Sequence, residues 1–374
     1  MKVKRILVIG GYGNFGNFIV KELAKDKNIQ VIIAGRSLEK ANQLIVSIVK
    51  DEIEAHHQPE AAQVDIHKDF PKALQHIKPD IVIHTSGPFQ AQSYDVANTC
   101  IDYGTHYIDL ADGREFVAGI TALHEKAKQA GVSIISGASS VPCLTSAIVD
   151  HYIDEFSVLE SLDYGITTAQ KTTRGLATTA AILGYTGKAF NTLINGALTN
   201  IYGWQGLKAR KFHKLGFRLL GHCDIPDLAL FPERYPSIKT LRFYAGLEIK
   251  CIHLILWALS WLVRIGLIHN LKKSAPLLLR LSFLFDGLGT ANSGFYMQLF
   301  GKGNNGSEKS ILFELVAHSG DGPYIPCMPA ILLAKKLANK QIVERGAYPC
   351  VGFISYNEYL NALKALDITW QITR

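Results

Sequence analysis

The sequence has few of the features that mark several protein classes. Its six cysteines are spread over 374 residues without a Cys-x-x-Cys pair, so neither a zinc cluster nor a redox pair is indicated. The thiols are expected to be reduced, as in cytosolic proteins. The net charge of +7 is scattered along the chain rather than gathered in a basic block. The sequence therefore predicts no nucleic-acid partner, and the charge suits a small anionic molecule better.

Long apolar runs are also scarce. The N-terminus, MKVKRILVIGG, has an apolar run of only about six residues, which predicts a first strand rather than a signal peptide. The longest apolar segment, residues 251–271, is broken by Arg264 and two histidines. On a helix, His253, Ser260 and Arg264 would share one stripe. We expect this segment to be buried or to form a homodimer contact, with peripheral membrane contact through 251–271 as the alternative.

What is present is a repeated strand and helix pattern over the first 155 residues. The strand-like segments are RILVIG, QVIIAG, AAQVDI, DIVIHT, THYIDL and VSIISG. The predicted helices are Phe15 to Lys25, Leu38 to Lys50, Ala91 to Tyr103, and Glu115 to Ala130. This pattern predicts an α/β fold class, with an N-terminal doubly wound Rossmann domain built on a parallel sheet.

The pattern changes after the sixth predicted strand, and 48% of the residues are hydrophobic, enough for more than one core. We predict a Rossmann domain at 1–150 and a second α/β (α+β) domain at 151–325 for substrate binding and oligomerisation. The last part, 326–374, contains two predicted helices that could belong to either domain.

A glycine-rich turn follows the first predicted strand. The segment GGYGNFG places Gly11, Gly13 and Gly16 between a β-branched strand and a helical pattern, with Asn14 and Phe15 between the last two glycines. This spacing in this context is typical of dinucleotide binding, because the backbone can approach a pyrophosphate at the start of a helix. The alternative is an ordinary tight turn between a strand and a helix.

The second predicted strand ends on an arginine where an NAD site would have an acid. Arg36, Ser37 and Lys40 can bind a 2′-phosphate, so the predicted cofactor is NADP. Asp65, at the end of the third predicted strand, could accept a hydrogen bond from adenine. The alternatives are that Arg36 is only a solvated surface residue and that Asp65 caps a turn.

Three further strand ends are polar, and in such sheets ligands bind beyond the carboxyl ends of the strands. The fourth predicted strand continues into Ser86, Gly87 and Pro88, which we predict to contact the ribose and nicotinamide. The fifth ends in YIDLADGR and the sixth in SGASSVP.

These motifs together resemble one family. The order GGYGNFG, AGRSLEKA, VIHTSGPF, HYIDLADGREF and SGASSVP is similar to the saccharopine dehydrogenase-like oxidoreductases, and the later block GDGPYIPCMPAILLAKKLA resembles their uncharacterised bacterial branch. The resemblance implies an NADP-binding Rossmann domain, a second α/β domain over the nicotinamide, and an NAD(P)-dependent reductase. It does not imply saccharopine as the substrate.

Short-chain dehydrogenases are a competing family, because they need a tyrosine and a lysine one helical turn apart. Tyr235 and Lys239 have that spacing. Prolines at 226, 232 and 236 predict an extended loop there, so we interpret the match as accidental.

The catalytic candidates are Asp109 and Tyr107 as proton donors and Arg114 as an anchor for a substrate anion. Asp112, Tyr164, Lys171 and Arg174 are further candidates. Each has an ordinary alternative as a turn cap, a core residue or a solvated cation, and the histidines suggest no metal set.

The sequence thus predicts a cytoplasmic, homodimeric NADPH-dependent oxidoreductase, with membrane association as an alternative location. It would reduce a C=O, C=N or C=C bond of a small or lipid-like molecule. The alternative function is a non-catalytic NADP-binding redox sensor or scaffold.

Overall fold

The computed structural model describes residues 3–90 and 92–374. The first two residues of the predicted N-terminal domain, and the predicted helix start at Ala91, lie outside the described residues. The chain divides into two compact units. The first contains the chain up to Ala147 together with Tyr324–Ser355, and the second contains Ile148–Pro323 together with Tyr356–Arg374.

The first unit is built on a seven-stranded sheet in which every pairing is parallel. Its strands, numbered in chain order, are β1 (Lys4–Ile9), β2 (Ile29–Gly35), β3 (Glu60–Gln63), β4 (Ile81–His84), β5 (His106–Asp109), β6 (Ser133–Ser136) and β15 (Gly346–Pro349). Their order in the sheet is β15-β6-β5-β4-β1-β2-β3. The change of direction between β1 and β4 creates the crevice at which doubly wound folds bind nucleotides.

Helices alternate with these strands along the chain. They are α1 (Asn14–Ala24), α2 (Leu38–Lys50), α3 (Phe70–Ile77), α4 (Asp95–Asp102), α5 (Arg114–Gly119), α6 (His124–Gln129) and α12 (Met328–Ala338). The prediction of a single helix from Glu115 to Ala130 is therefore wrong, because α5 and α6 are separate helices. A 3₁₀ turn, Ile120–Leu123, separates α5 from α6.

The second unit has a seven-stranded mixed sheet and a separate two-stranded hairpin. Its strands are β7 (Phe156–Thr168), β8 (Ala189–Ile194), β9 (Ala197–Tyr202), β10 (Lys208–Phe212), β11 (Gly216–His222), β12 (Thr240–Leu247), β13 (Ser293–Gly303), β14 (Glu308–Ala317) and β16 (Ile368–Thr373). The large sheet has the order β10-β11-β12-β7-β13-β14-β16, and only β12 and β7 pair in parallel. The predicted fold class, a Rossmann domain with a second α/β domain, is confirmed.

The helices of the second unit are α8 (Leu176–Tyr185), α9 (Asp227–Arg234), α10 (Lys250–Arg264), α11 (Ala275–Ser282) and α13 (Tyr356–Leu363), while α7 (Thr145–Tyr152) contains the boundary between the units. The prediction of an extended loop around prolines 226, 232 and 236 is wrong for residues 227–234, because they form helix α9; Pro236 lies beyond the end of the helix. Pro226 precedes the helix with a φ of −55°, which suits a helix start, and Phe231 is fully buried. Burial of the apolar side outweighs the hydrogen bond lost at Pro232.

Gly16 is the position at which an added methyl group should be most disruptive in the first unit. A Cβ there would collide with the Gly10 carbonyl oxygen and lie 2.8 Å from Gly11 Cα. We expect Gly16→Ala to lower the free energy of unfolding by about 2 kcal/mol through overpacking. Gly184→Ala in α8 is the control, since no atom lies within 4 Å of its added Cβ. Urea unfolding followed by circular dichroism measures both, and equal midpoints would contradict the packing argument.

Candidate functional site

The turn that leaves β1 is shaped by the absence of side chains. Gly10 has a φ of +76°, and a Cβ there would lie 2.6 Å from the Thr85 hydroxyl oxygen. The Thr85 hydroxyl donates to the Ile9 carbonyl at 2.9 Å, so the ends of β1 and β4 are joined at this point. Gly10 was not among the predicted residues, although it stands directly before Gly11 in the motif.

The start of α1 has the properties of an anion site. Gly13 precedes the helix and offers no side-chain cap, and the first turn contains no acidic residue. The first backbone N–H groups of a helix lack partners within the helix, and its dipole favours negative charge. The predicted residues Asn14 and Phe15 begin this helix, so the turn can receive a pyrophosphate.

The end of β2 holds the residues predicted to select the cofactor. The Tyr12 hydroxyl accepts a hydrogen bond from the Ser37 backbone N–H at 3.0 Å, and the Tyr12 ring covers Gly35. The Ser37 hydroxyl oxygen accepts from the Lys40 N–H at 3.3 Å and so caps α2. Its hydroxyl hydrogen can still donate to a ligand.

Arg36 and Lys40 are both exposed at this strand end. Over residues 3–90 and 92–374, neither side chain forms an ion pair. The Arg36 backbone carbonyl accepts from Gln63 Nε2 at 3.0 Å. Among the described residues, two cations without carboxylate partners therefore stand beside the start of α2, an arrangement that suits a phosphate ligand.

Asp65 lies beyond β3, which ends at Gln63. Its carboxylate accepts from the His67 backbone N–H at 3.1 Å, and its backbone carbonyl accepts from Lys68 N at 3.1 Å. These contacts close a turn. They correspond to the capping role that the sequence left as the alternative to adenine binding, although one carboxylate can serve both.

The loop after β4 is fixed by side chains from its own sequence. Gln92 Nε2 donates to the Ser86 carbonyl at 2.7 Å and to the Pro88 carbonyl at 3.1 Å. The two bonds hold the predicted segment Ser86, Gly87 and Pro88 in one shape at the carboxyl end of the sheet. Gln92 had no signal in the sequence, because a single glutamine after a loop carries no spacing pattern.

Asp109 ends β5 and is fully buried. Its Oδ1 accepts three hydrogen bonds, from Ser136 Oγ at 3.0 Å, Gly137 N at 2.8 Å and Ala111 N at 2.9 Å. Burial raises the pKa of Asp109 to about 6, and the three donors limit that rise. The carboxyl group therefore binds the exits of β5 and β6 together.

Tyr107 and His84 form a second buried pair beside Asp109. Tyr107 Oη and His84 Nδ1 are 3.1 Å apart, and His84 pairs in register with Asp109 across β4 and β5. Burial lowers the pKa of His84 to about 3, so its imidazole is neutral. Burial and the nearby Asp109 charge raise the pKa of Tyr107 well above its usual range. His84 was missed, and its signal was a histidine ending the apolar run IVIH.

The remaining catalytic candidates lie in different places. Arg114 is the half-buried first residue of α5, in the first unit. Tyr164 and Arg174 belong to the second unit. Tyr164 is fully buried and donates to Asp227 Oδ2 at 3.0 Å, and Arg174 pairs with Asp286 at 2.5 Å. Both contacts are structural, and they engage the polar ends of these two side chains.

Asp109→Asn tests the perturbed carboxyl group. A raised native pKa stabilises the fold below the unfolded pKa of 3.8, and that stabilisation is lost as the pH rises through about 6. Asparagine is neutral throughout and keeps an acceptor oxygen for the three donors. From about pH 4 to about pH 8, wild type should lose roughly 2 to 3 kcal/mol of unfolding free energy relative to the variant.

Denaturant unfolding at each pH measures this difference. The titration of His84 is common to both proteins and cancels in the comparison. A difference that does not change with pH would mean that Asp109 has an ordinary pKa.

Comparisons with known proteins agree with this geometry. Residues 6–135 match the family described as "Saccharopine dehydrogenase NADP binding domain". The saccharopine dehydrogenase-like oxidoreductase of Rattus norvegicus is 28% identical over 150 residues, which are 37% of this chain and 35% of the rat protein. That of Mus musculus is 28% identical over 149 residues, with the same coverage. The chain thus spans about a third of the length of these curated relatives.

One solved structure is similar over the whole length. Apo saccharopine dehydrogenase (L-Glu forming) from Saccharomyces cerevisiae covers 99% of this chain and 100% of its own, with a TM-score of 0.69 and 12% identity. At that identity the likeness concerns the fold. The predicted resemblance and the predicted NADP-binding domain are confirmed.

Proposed function

We propose that this chain, whose residues 6–135 form a saccharopine dehydrogenase NADP-binding domain, is an NADPH-dependent oxidoreductase. It would transfer hydride to a C=O, C=N or C=C bond of a small or lipid-like substrate. The observation that carries the proposal is the arrangement of two binding features along one crevice edge. A helix start without a side-chain cap follows β1, and two cations that form no ion pair among the described residues follow β2.

The first part of the proposal concerns cofactor binding. The backbone at Gly11 and Gly13 and the start of α1 would bind the pyrophosphate, and Arg36, Ser37 and Lys40 would bind the 2′-phosphate. NADPH supplies the hydride when bound. The loop of Ser86, Gly87 and Pro88, which is held by Gln92, would border the nicotinamide end.

The second part concerns the proton and the substrate. Arg114 is the proposed anchor for an anionic group of the substrate. Asp109 and Tyr107, which lie behind the strand ends, are the proposed proton donors. Tyr107 Oη lies 3.1 Å from His84 Nδ1. A carboxyl group with a pKa of about 6 can exchange a proton near neutral pH, which suits a group coupled to reduction.

Arg36→Glu tests the cofactor assignment. The variant places a carboxylate where the 2′-phosphate is proposed to bind, so the Kd for NADPH should rise about 10- to 100-fold. The Kd for NADH should change by less than about threefold, because NADH lacks that phosphate. Lys128→Glu is the matched control, since Lys128 is exposed on α6. Titration of both nucleotides by nicotinamide fluorescence measures these constants, and equal losses for both would contradict the role given to Arg36.

A labelling experiment separates the enzyme from the alternative function, an NADP-binding sensor or scaffold. NADPH deuterated at the transferable nicotinamide position is incubated with the protein and a metabolite extract, and products are searched for deuterium by mass spectrometry. Turnover should transfer the label, and Arg36→Glu should reduce transfer in proportion to its weaker binding. Tight NADPH binding without any transfer would favour the sensor.

We also propose that the protein is a cytoplasmic homodimer. The location is supported by the cysteines, all of which are free in the described part of the chain and five of which are buried.

A further inference from the structure

In the second unit, exposed apolar side chains are concentrated in one stretch of the chain, from α10 to the turn after α11. Among the described residues, 22 large hydrophobic side chains are exposed, and eleven of them lie between positions 254 and 288. We call this the α10–α11 surface. Its exposed apolar members are Leu254, Ile255, Trp261, Leu262, Ile265, Leu267, Leu277, Leu281, Phe283, Leu284 and Leu288. Patches of this kind on a folded protein mark interaction sites.

Helix α10 presents its apolar side outward. His253 and Ser260 are fully buried, whereas Leu254, Ile255 and Trp261 are exposed. Each of the two has one polar contact: His253 Nδ1 accepts from Leu247 N at 3.4 Å, and the Ser260 hydroxyl donates to the Trp257 carbonyl of the same helix at 2.6 Å. Burial within the chain, one of the two forms of the prediction for 251–271, therefore holds for Leu256 and Leu271 but not for the exposed apolar residues of the segment.

The packing against α10 explains this orientation. A Cβ added to Gly187 would collide with the Ser260 carbonyl oxygen and lie 2.7 Å from Val263 Cβ. The His253 ring packs edge-on against the buried Trp204 at 5.2 Å. The inner side of α10 thus fits a close, partly polar contact. A surface helix normally buries its apolar face, so the exposed apolar face of α10 indicates a contact with a partner outside this chain.

The charges along this surface are mostly positive, and its one acid, Asp286, is paired with Arg174. Residues 249–285 contain five basic residues and no aspartate or glutamate. The basic residues are Lys250, Arg264, Lys272, Lys273 and Arg280. Lys250, Lys272, Lys273 and Arg280 are exposed and form no ion pair within the part of the chain that the structure describes. An acidic or anionic partner would complement them.

Arg264, the fifth basic residue, differs from the other four because its guanidinium contacts aromatic rings and a glutamine at the edge of the surface. Its guanidinium stacks on Tyr202 at 3.8 Å and lies 4.9 Å from the Trp261 ring centroid, while Nη1 donates to Gln205 at 2.8 Å. Tryptophan and arginine side chains each have an apolar part and a polar part. They therefore suit the headgroup level of a bilayer, where the apolar part can be buried and the polar part hydrated.

We propose that the α10–α11 surface docks on an anionic phospholipid membrane. Its leucines and aromatic rings would enter the boundary between headgroups and acyl chains, and its lysines and arginines would contact lipid phosphates and carboxylates. A second copy of this chain fits less well. A twofold interface would bring two copies of the same basic patch together, with only Asp286, which already pairs with Arg174, to offset them.

The contact is interfacial. No helix in the described ranges has both the length and the apolar content needed to cross a bilayer. The 15 residues of α10 extend about 22 Å, which suits a helix lying along the membrane plane. This inference does not depend on the proposed catalysis.

Vesicle flotation of the full-length protein tests the proposal. One set of vesicles contains phosphatidylcholine alone, and the other contains phosphatidylcholine and phosphatidylserine at about 3:1. Wild type should float with the second set and do so weakly with the first. The double variant Lys272→Glu, Lys273→Glu and the double variant Leu277→Ser, Leu284→Ser should each lose about tenfold or more of the partition coefficient.

Two matched double variants control for net charge and for general apolar exposure. Lys128→Glu with Lys364→Glu makes the same charge change at exposed lysines elsewhere, and Leu198→Ser with Phe217→Ser removes exposed apolar side chains elsewhere. Both should float like wild type. Equal losses in test and control variants would overturn the proposal.

Two other results would also overturn it. One is equal binding to both vesicle types, which would remove the role of the basic residues. The other is the absence of vesicle binding, and light scattering would then show whether a second copy covers the surface, because a dimer dissociated by Leu277→Ser, Leu284→Ser would identify that occupant.

Discussion

The close approach between the start of α1 and the turn after β1 is the constraint on which the nucleotide site depends. It exists because Gly16 has no side chain to separate the helix from the Gly10 carbonyl. The approach directs the uncapped end of α1 along the crevice between β1 and β4. The Thr85 hydroxyl then joins the two strand ends from the other side. A few missing and small side chains thus shape the turn at which a phosphate is proposed to bind.

Polar groups buried behind the crevice serve a different purpose. Asp109 gathers three donors from two strand exits, and its neighbour Tyr107 engages His84 on the next strand. The three hydrogen bonds to Oδ1 offset part of the cost of burying this carboxyl group, and they also fix the backbone around it. The same residues that were candidates for chemistry are therefore structural supports of the strand ends, and the two roles are compatible.

Much of the first unit could be predicted from the sequence, because buried parallel strands are short β-branched runs and the glycine motif has a fixed context. Strand β15 could not, since GAYP contains a glycine and a proline and pairs only through tertiary contacts. Helix α9 was hidden by its prolines. The orientation of α10 was also beyond the sequence. Its periodicity identified the stripe of His253 and Ser260, but only the packing against Gly187 decides which stripe faces inward.

The late position of β15 in the chain has a consequence for folding. Pairing of Gly346–Pro349 with β6 completes the first sheet only after the long stretch of chain between Ser136 and Gly346 has been synthesised. Until then β6 presents an open edge, and unpaired edges invite association with other chains. A fragment cut near residue 150 would keep the glycine turn yet lack β15 and α12, so it would expose both an unpaired strand edge and the apolar surface that α12 covers.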